Sequence, residues 1–167
     1  MSFSPRPISP EGVAAALAKA ERYRLINDPS SAESICLDIL AIEPANQQAL
    51  VTLLLAITDQ FTQSPGAGAQ RARELLPGLA DPYRQAYYAG IVSERLAKAQ
   101  LGSPKFRLGD LAYHGLRDAM EWYEKAEAIR PPGNDEAILR WNSCARLLER
   151  HPELAPREDG PVDPDLE

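Results

Sequence analysis

Residues that do chemistry are scarce in this chain. There are two cysteines, Cys36 and Cys144, and two histidines, His114 and His151, all far apart in sequence. A structural zinc site takes four ligands set at short spacings, and a disulfide framework takes several cysteines. The two thiols therefore read as small buried hydrophobes in the reduced state. No metal and no cofactor is expected. A serine nucleophile elbow, a phosphate loop and an HExxH pair are all missing from the sequence. Gly66, Ala67 and Gly68 imitate a glycine-rich loop, but no strand pattern precedes them. An enzyme is not expected.

Aromatic residues make up only 7% of the chain, and β-branched residues are too sparse for an all-β fold. No apolar run approaches the roughly 20 residues of a membrane span. The opening MSFSPRPISPEG has no apolar h-region, so a cytoplasmic location is the default expectation. Excess basic charge is also missing. Of the net charge of −6, −5 sits in residues 153–167, where six acids meet one arginine; the rest holds 17 basic and 18 acidic residues, a balance of −1. A near-neutral body has no broad electrostatic footprint for nucleic acid, and none is expected as partner.

What is abundant is alanine and leucine at helical spacing. Residues 1–8 carry Pro5 and Pro7 without periodicity and read as a flexible arm. Ser9 and Pro10 look like an N-cap followed by a first helical proline. Val13, Ala16, Leu17, Ala20 and Tyr23 then form one helix face. Asp28 and Pro29 repeat the starting device for a second helix, with Ala32, Cys36 and Ile39 as its stripe. Pro44 stops it and Asn46 caps a third, which carries Leu50, Leu53, Leu54, Ile57 and Phe61.

Residues 64–68 read as a loop, and a fourth helix shows Ala72, Leu75, Leu76 and Leu79. Asp81 and Pro82 open a fifth, running to about Gln100, and residues 102–109 read as a second loop. A sixth presents Ala119, Tyr123, Ala126 and Ile129, and a seventh Ile138, Trp141, Ala145 and Leu148, with Trp141 inward and Trp122 open. The domain spans residues 9–151, and residues 152–167 form an acidic, proline-bearing tail expected to be disordered. The fold class is all-α, with seven helices in antiparallel pairs.

Residues 13–46 resemble a tetratricopeptide repeat in length and in residue type. Ala20 and Tyr23 fall at the small and bulky positions of a first helix, Ala32 at the small position of a second, and Pro44 at the terminal proline. Asn27 and Asp28 stand where the family usually has Gly-Asp. Residues 118–131 resemble a second helix from another repeat, and residues 47–56 and 134–146 resemble first helices. The resemblance implies a right-handed α-α superhelix of about three helix pairs with a C-terminal capping helix. Pro44, Pro82 and Pro131 lie 38 and 49 residues apart, against a repeat of about 34. The second excess implies a long helical hairpin with its tip at about residues 97–115.

In that family the first helices line a concave groove for a peptide or partner helix. The resemblance places Glu21 and Arg24 there from helix one, and Gln48, Thr52 and Asp59 from helix three. Tyr87, Tyr88, Glu94 and Arg95 are candidates from helix five, and Arg140, Ser143 and Arg146 follow from helix seven. A carboxylate clamp of the family would occupy Leu17, Glu21, Thr52 and Arg140, of which only Arg140 fits. A second candidate surface is the hairpin tip, where Lys98, Lys105 and Arg107 surround Phe106.

The expected function is a protein- or peptide-binding scaffold module. One alternative is a structural subunit that self-associates, which would leave apolar surface uncovered near Leu54, Ile57 and Phe61 or on helix seven. Another is a sensor of a peptide or small molecule, with a pocket lined by Tyr87 or Tyr88. An enzyme would need His114 beside a buried carboxylate.

Overall fold

The computed structural model describes residues 3–102 and 108–156. Seven α-helices follow one another: α1 Val13–Leu25, α2 Pro29–Ile42, α3 Gln47–Thr58, α4 Pro65–Leu75, α5 Pro82–Leu101, α6 Leu108–Ala128 and α7 Glu136–Arg150. Short 3-10 turns sit at Pro10–Gly12, Leu76–Gly78 and Pro152–Leu154, and no strand occurs among the described residues. Each helix packs chiefly on its neighbours in sequence, so the architecture is helical-repeat-like.

Local chemistry explains most boundaries. The side chains of Asp28, Asn46 and Asp81 accept hydrogen bonds from the backbone N–H of Ser31, Ala49 and Tyr83 at 3.1, 2.9 and 2.9 Å. These bonds satisfy donors that the first turn of a helix leaves unpaired. Asn27 ends α1 at a φ of 61°, a left-handed conformation that asparagine tolerates better than most residues. Ser9 differs from expectation. Its side chain caps nothing, and Pro10 begins a 3-10 turn that leads into α1 at Val13.

Helix α4 starts at Pro65, inside the stretch read as a loop. Proline fits the first turn, where its missing N–H costs no bond. Gly68 serves packing here: a Cβ on it would lie 2.9 Å from the Phe61 ring. The helix also ends earlier than its leucine stripe suggests. Leu79 lies beyond the Leu76–Gly78 turn in extended backbone, and is buried there. Helix α6 likewise begins at Leu108, within the second expected loop.

Three clusters of buried side chains form the core. One, around Val13, Leu17, Ile39 and Ala49, joins the start of α1 to α2 and α3. A second, around Leu53, Leu54, Ile57 and Phe61, extends to α4 and to Val92 of α5. A third, around Tyr83, Leu116, Tyr123 and Cys144, holds α5, α6 and α7. Ala20, Ala32, Ala56 and Ala72 are completely buried, as expected where backbones approach closely.

The most extensive helix pairing joins α5 and α6, the two longest helices, at 20 and 21 residues. Two glycines permit it. A Cβ on Gly90 would lie 2.5 Å from the Tyr123 ring, and one on Gly115 would lie 3.0 Å from the Ala97 Cβ.

At the two ends, Ile8 packs partly against the first cluster, and Leu154 is buried in a turn that packs on α6 and α7. Trp141 is half-buried against the third cluster and donates to Glu124 at 2.9 Å. Trp122 is half-buried too, with the Lys125 ammonium 4.1 Å above its ring. Leu54, Ile57 and Phe61 are all buried, so these three residues offer no surface for self-association.

Candidate functional site

A chain of polar contacts runs across the odd-numbered helices. Arg24, near the end of α1, donates from Nε to Asp59 Oδ2 at 2.8 Å. Asp59 is the C-cap of α3, and its other oxygen pairs with Arg95 of α5. The Arg95 guanidinium also donates to Thr58 Oγ1 at 2.7 Å. One aspartate thus ties three helices together, and the side chains of all three ionic partners are about a quarter exposed. Beside them a cleft of about 290 Å³ opens between Asp59, Thr62, Arg95 and Lys98.

Glu94, the residue before Arg95, centres a second set of contacts that reaches α6 and α7. Its side chain is fully buried. The Tyr123 hydroxyl donates to Oε2 at 2.6 Å, the Lys98 ammonium to Oε1 at 2.5 Å, and Arg140 to the same oxygen at 3.4 Å. Burying a carboxylate is costly unless such partners replace water. Burial, reinforced by the adjacent Glu94 charge, pushes the Tyr123 phenol far above its ordinary range, so it acts as a donor. Burial opposes the charge on Arg140. The Glu94 carboxylate and Tyr87 outweigh that effect and hold the guanidinium above its ordinary value.

The residues expected in the groove divide into three groups. Arg24 and Asp59 pair with each other, and Arg140 meets Glu94. Glu21, Gln48 and Arg146 are exposed, Ser143 is half-exposed, and Tyr87 and Tyr88 lie half-buried in a tyrosine cluster. Thr52 is only 5% exposed and presents almost no surface, because it falls among Leu50, Leu53 and Leu54 on the most buried helix of the chain.

Of the tip residues, Lys98 points to Glu94 and so belongs to the same polar chain as Arg140. Lys105, Phe106 and Arg107 lie outside the described residues. His114 is exposed, with its ring edge-on to Tyr113, and is not a partner of Glu94.

Glu94 and Arg95 were both among the helix-five candidates, but sequence reasoning did not show that Glu94 is buried or which groups the two residues meet. A signal existed for Glu94. It falls on the helical stripe of Tyr83, Ala86, Gly90 and Ala97, where a charged residue has to find buried partners.

Neither protein-family models, nor curated proteins, nor solved structures yield a match to this chain. The structure itself defines the class: an all-α protein of sequentially packed helices, helical-repeat-like in design. No group of three metal-ligating side chains occurs among the described residues, and no helix among them is long and apolar enough to cross a membrane.

Proposed function

We propose that the chain is a protein- or peptide-binding scaffold module, a short stack of tetratricopeptide-type helix pairs with α7 as the closing helix. The partner lies across the face formed by α1, α3, α5 and α7. The observation that supports this reading is the pattern of polar contacts. One set joins Arg24, Asp59 and Arg95 across α1, α3 and α5, a second joins Arg140 of α7 to the buried Glu94 of α5, and Arg24, Asp59, Arg95 and Arg140 keep their charged groups partly exposed. Backbone carried by rigid helices, with adaptable polar side chains above it, suits recognition of an extended chain. The reading is non-catalytic, and the link from fold to function is by analogy of architecture.

Affinity purification from the source cell tests it, with the wild type beside an Arg24→Glu/Arg140→Glu variant and thermal unfolding of both. A partner held by the wild type and lost by a folded variant is the expected outcome. A partner held equally by both would move the site off this face.

A second reading has its own observation. Leu25 and Ile26 at the end of α1 are 87% and 65% exposed, and Leu139 on α7 is 66% exposed. Such side chains suit a subunit of a fixed assembly. A concentration-independent monomer mass in sedimentation would count against self-association through them.

A further inference from the structure

At the start of α5, facing the loop into α7, lies a second cleft of about 290 Å³. Three aromatic rings line it. Tyr83 and Tyr87 stack with centroids 5.9 Å apart and planes 14° apart, and Tyr88 meets Tyr87 edge-on at 5.2 Å. The cluster is anchored at Tyr83, whose hydroxyl donates to Asn134 Oδ1 at 3.2 Å.

Two carboxylates, Asp81 and Glu136, line the same cleft, and neither is in an ion pair among the described residues. One cation, Arg84, lines it as well, so acids outnumber bases there.

Aromatic faces offer negative potential to a cation, and nearby carboxylates add a directional partner. We propose that this cleft is a seat for one basic side chain, an arginine or lysine of the bound protein or peptide. The inference rests on the binding-module reading and names one chemical feature of the partner. Size agrees with it: the cleft falls below the roughly 300–1,000 Å³ of sites for whole small ligands. The electrostatics agree as well. Burial first and the Glu136 charge second raise the Tyr83 phenol, so that carboxylate acts on the ring at the mouth of the cleft. An acidic side chain would meet two carboxylates and the negative faces of the rings, and is disfavoured.

The test is a titration of the full chain with N-acetyl-argininamide, N-acetyl-lysinamide and N-acetyl-aspartamide, followed by residue-resolved NMR. Both cationic probes should shift Tyr83, Tyr87, Tyr88 and Glu136, and the anionic probe should leave them unmoved. Glu136→Gln should weaken the cationic probes roughly tenfold, the worth of one charge-assisted contact. Tyr88→Phe, which keeps the ring, should bind as the wild type does.

Equal binding by Glu136→Gln, or a response to the anionic probe alone, overturns the seat. Failure of the seat and failure of the module separate cleanly. A cleft silent to both cations in a chain that still captures a partner refutes the seat alone. A cleft that binds the cations in a chain that captures no partner supports the seat and refutes the module.

Discussion

Glu94 is the only charged side chain buried among the described residues, and its neighbours show what makes that tolerable. A phenol donates to one oxygen and two cations approach the other, so little of the lost hydration goes unreplaced. No buried polar side-chain atom is left without a partner among the described residues. The two cysteines are buried in the opposite sense, in apolar surroundings. Burial raises the Cys36 thiol to about 11 and the Cys144 thiol to about 12, from an ordinary 9.0.

Because the folded state holds these protons longer than the unfolded chain does, the thiols' contribution is complete below pH 9.0 and is lost as pH rises through 11 and 12. Thermal stability should fall in that window, and the Cys36→Ala/Cys144→Ala variant should fall less steeply. The raised phenols of Tyr83, Tyr88 and Tyr123 act in the same direction and account for what remains. An identical decline in the variant would mean that the thiols are not the source. The sequence placed Cys36 on an inward stripe with Ala32 and Ile39, whereas the stripe read on helix seven ran through Ala145 and not through the fully buried Cys144 beside it.

Among the helices, legibility depended on local chemistry. The starts of α2, α3 and α5 were readable because each has a side-chain cap, two of them with proline behind it. The start of α4 was not, because proline followed by two glycines in four residues reads as a turn. Only the fold shows that Gly68 makes room for Phe61. Gly90 is a sharper case of the same logic. It lies inside α5, where glycine costs about 1 kcal/mol relative to alanine, and it faces a ring whose hydroxyl is anchored on Glu94. Gly90→Ala would gain that propensity but force α5 and α6 apart, an overpacking cost of about 1–3 kcal/mol. We expect the variant to melt lower than the wild type. A variant of equal or higher melting temperature would show that Tyr123 can yield.

Across the whole molecule, the number of helices and their order were legible, because period and punctuation agree along the chain. The candidate face was legible only in part. Repeat position brought out Arg24, Asp59 and Arg140, but a position in a repeat does not say which charges meet each other. Nor does it say that Thr52, on a helix rich in leucine, is buried.

The two larger core clusters meet on α5, where Val92 belongs to one and Ile91 to the other, and Leu55 and Tyr88 pack against both. Between them α4 buries only Gly68, Ala69 and Ala72, which have little apolar area to offer. Cooperativity between the two halves of the stack therefore passes through α5 and the side chains that bridge to it, Leu55 of α3 among them. In a chain stabilised mostly by nearest-neighbour interfaces, weakening one junction lets the parts unfold separately. Leu55→Ala should lower the apparent denaturant m-value as well as the midpoint, which is how lost two-state behaviour registers. A lower midpoint at unchanged m would mean that the halves still melt as one. If the bridge does give way, the face that spans α1 to α7 can bend at the α3–α5 junction while each half keeps its own core, and a partner lying across it would act as a splint.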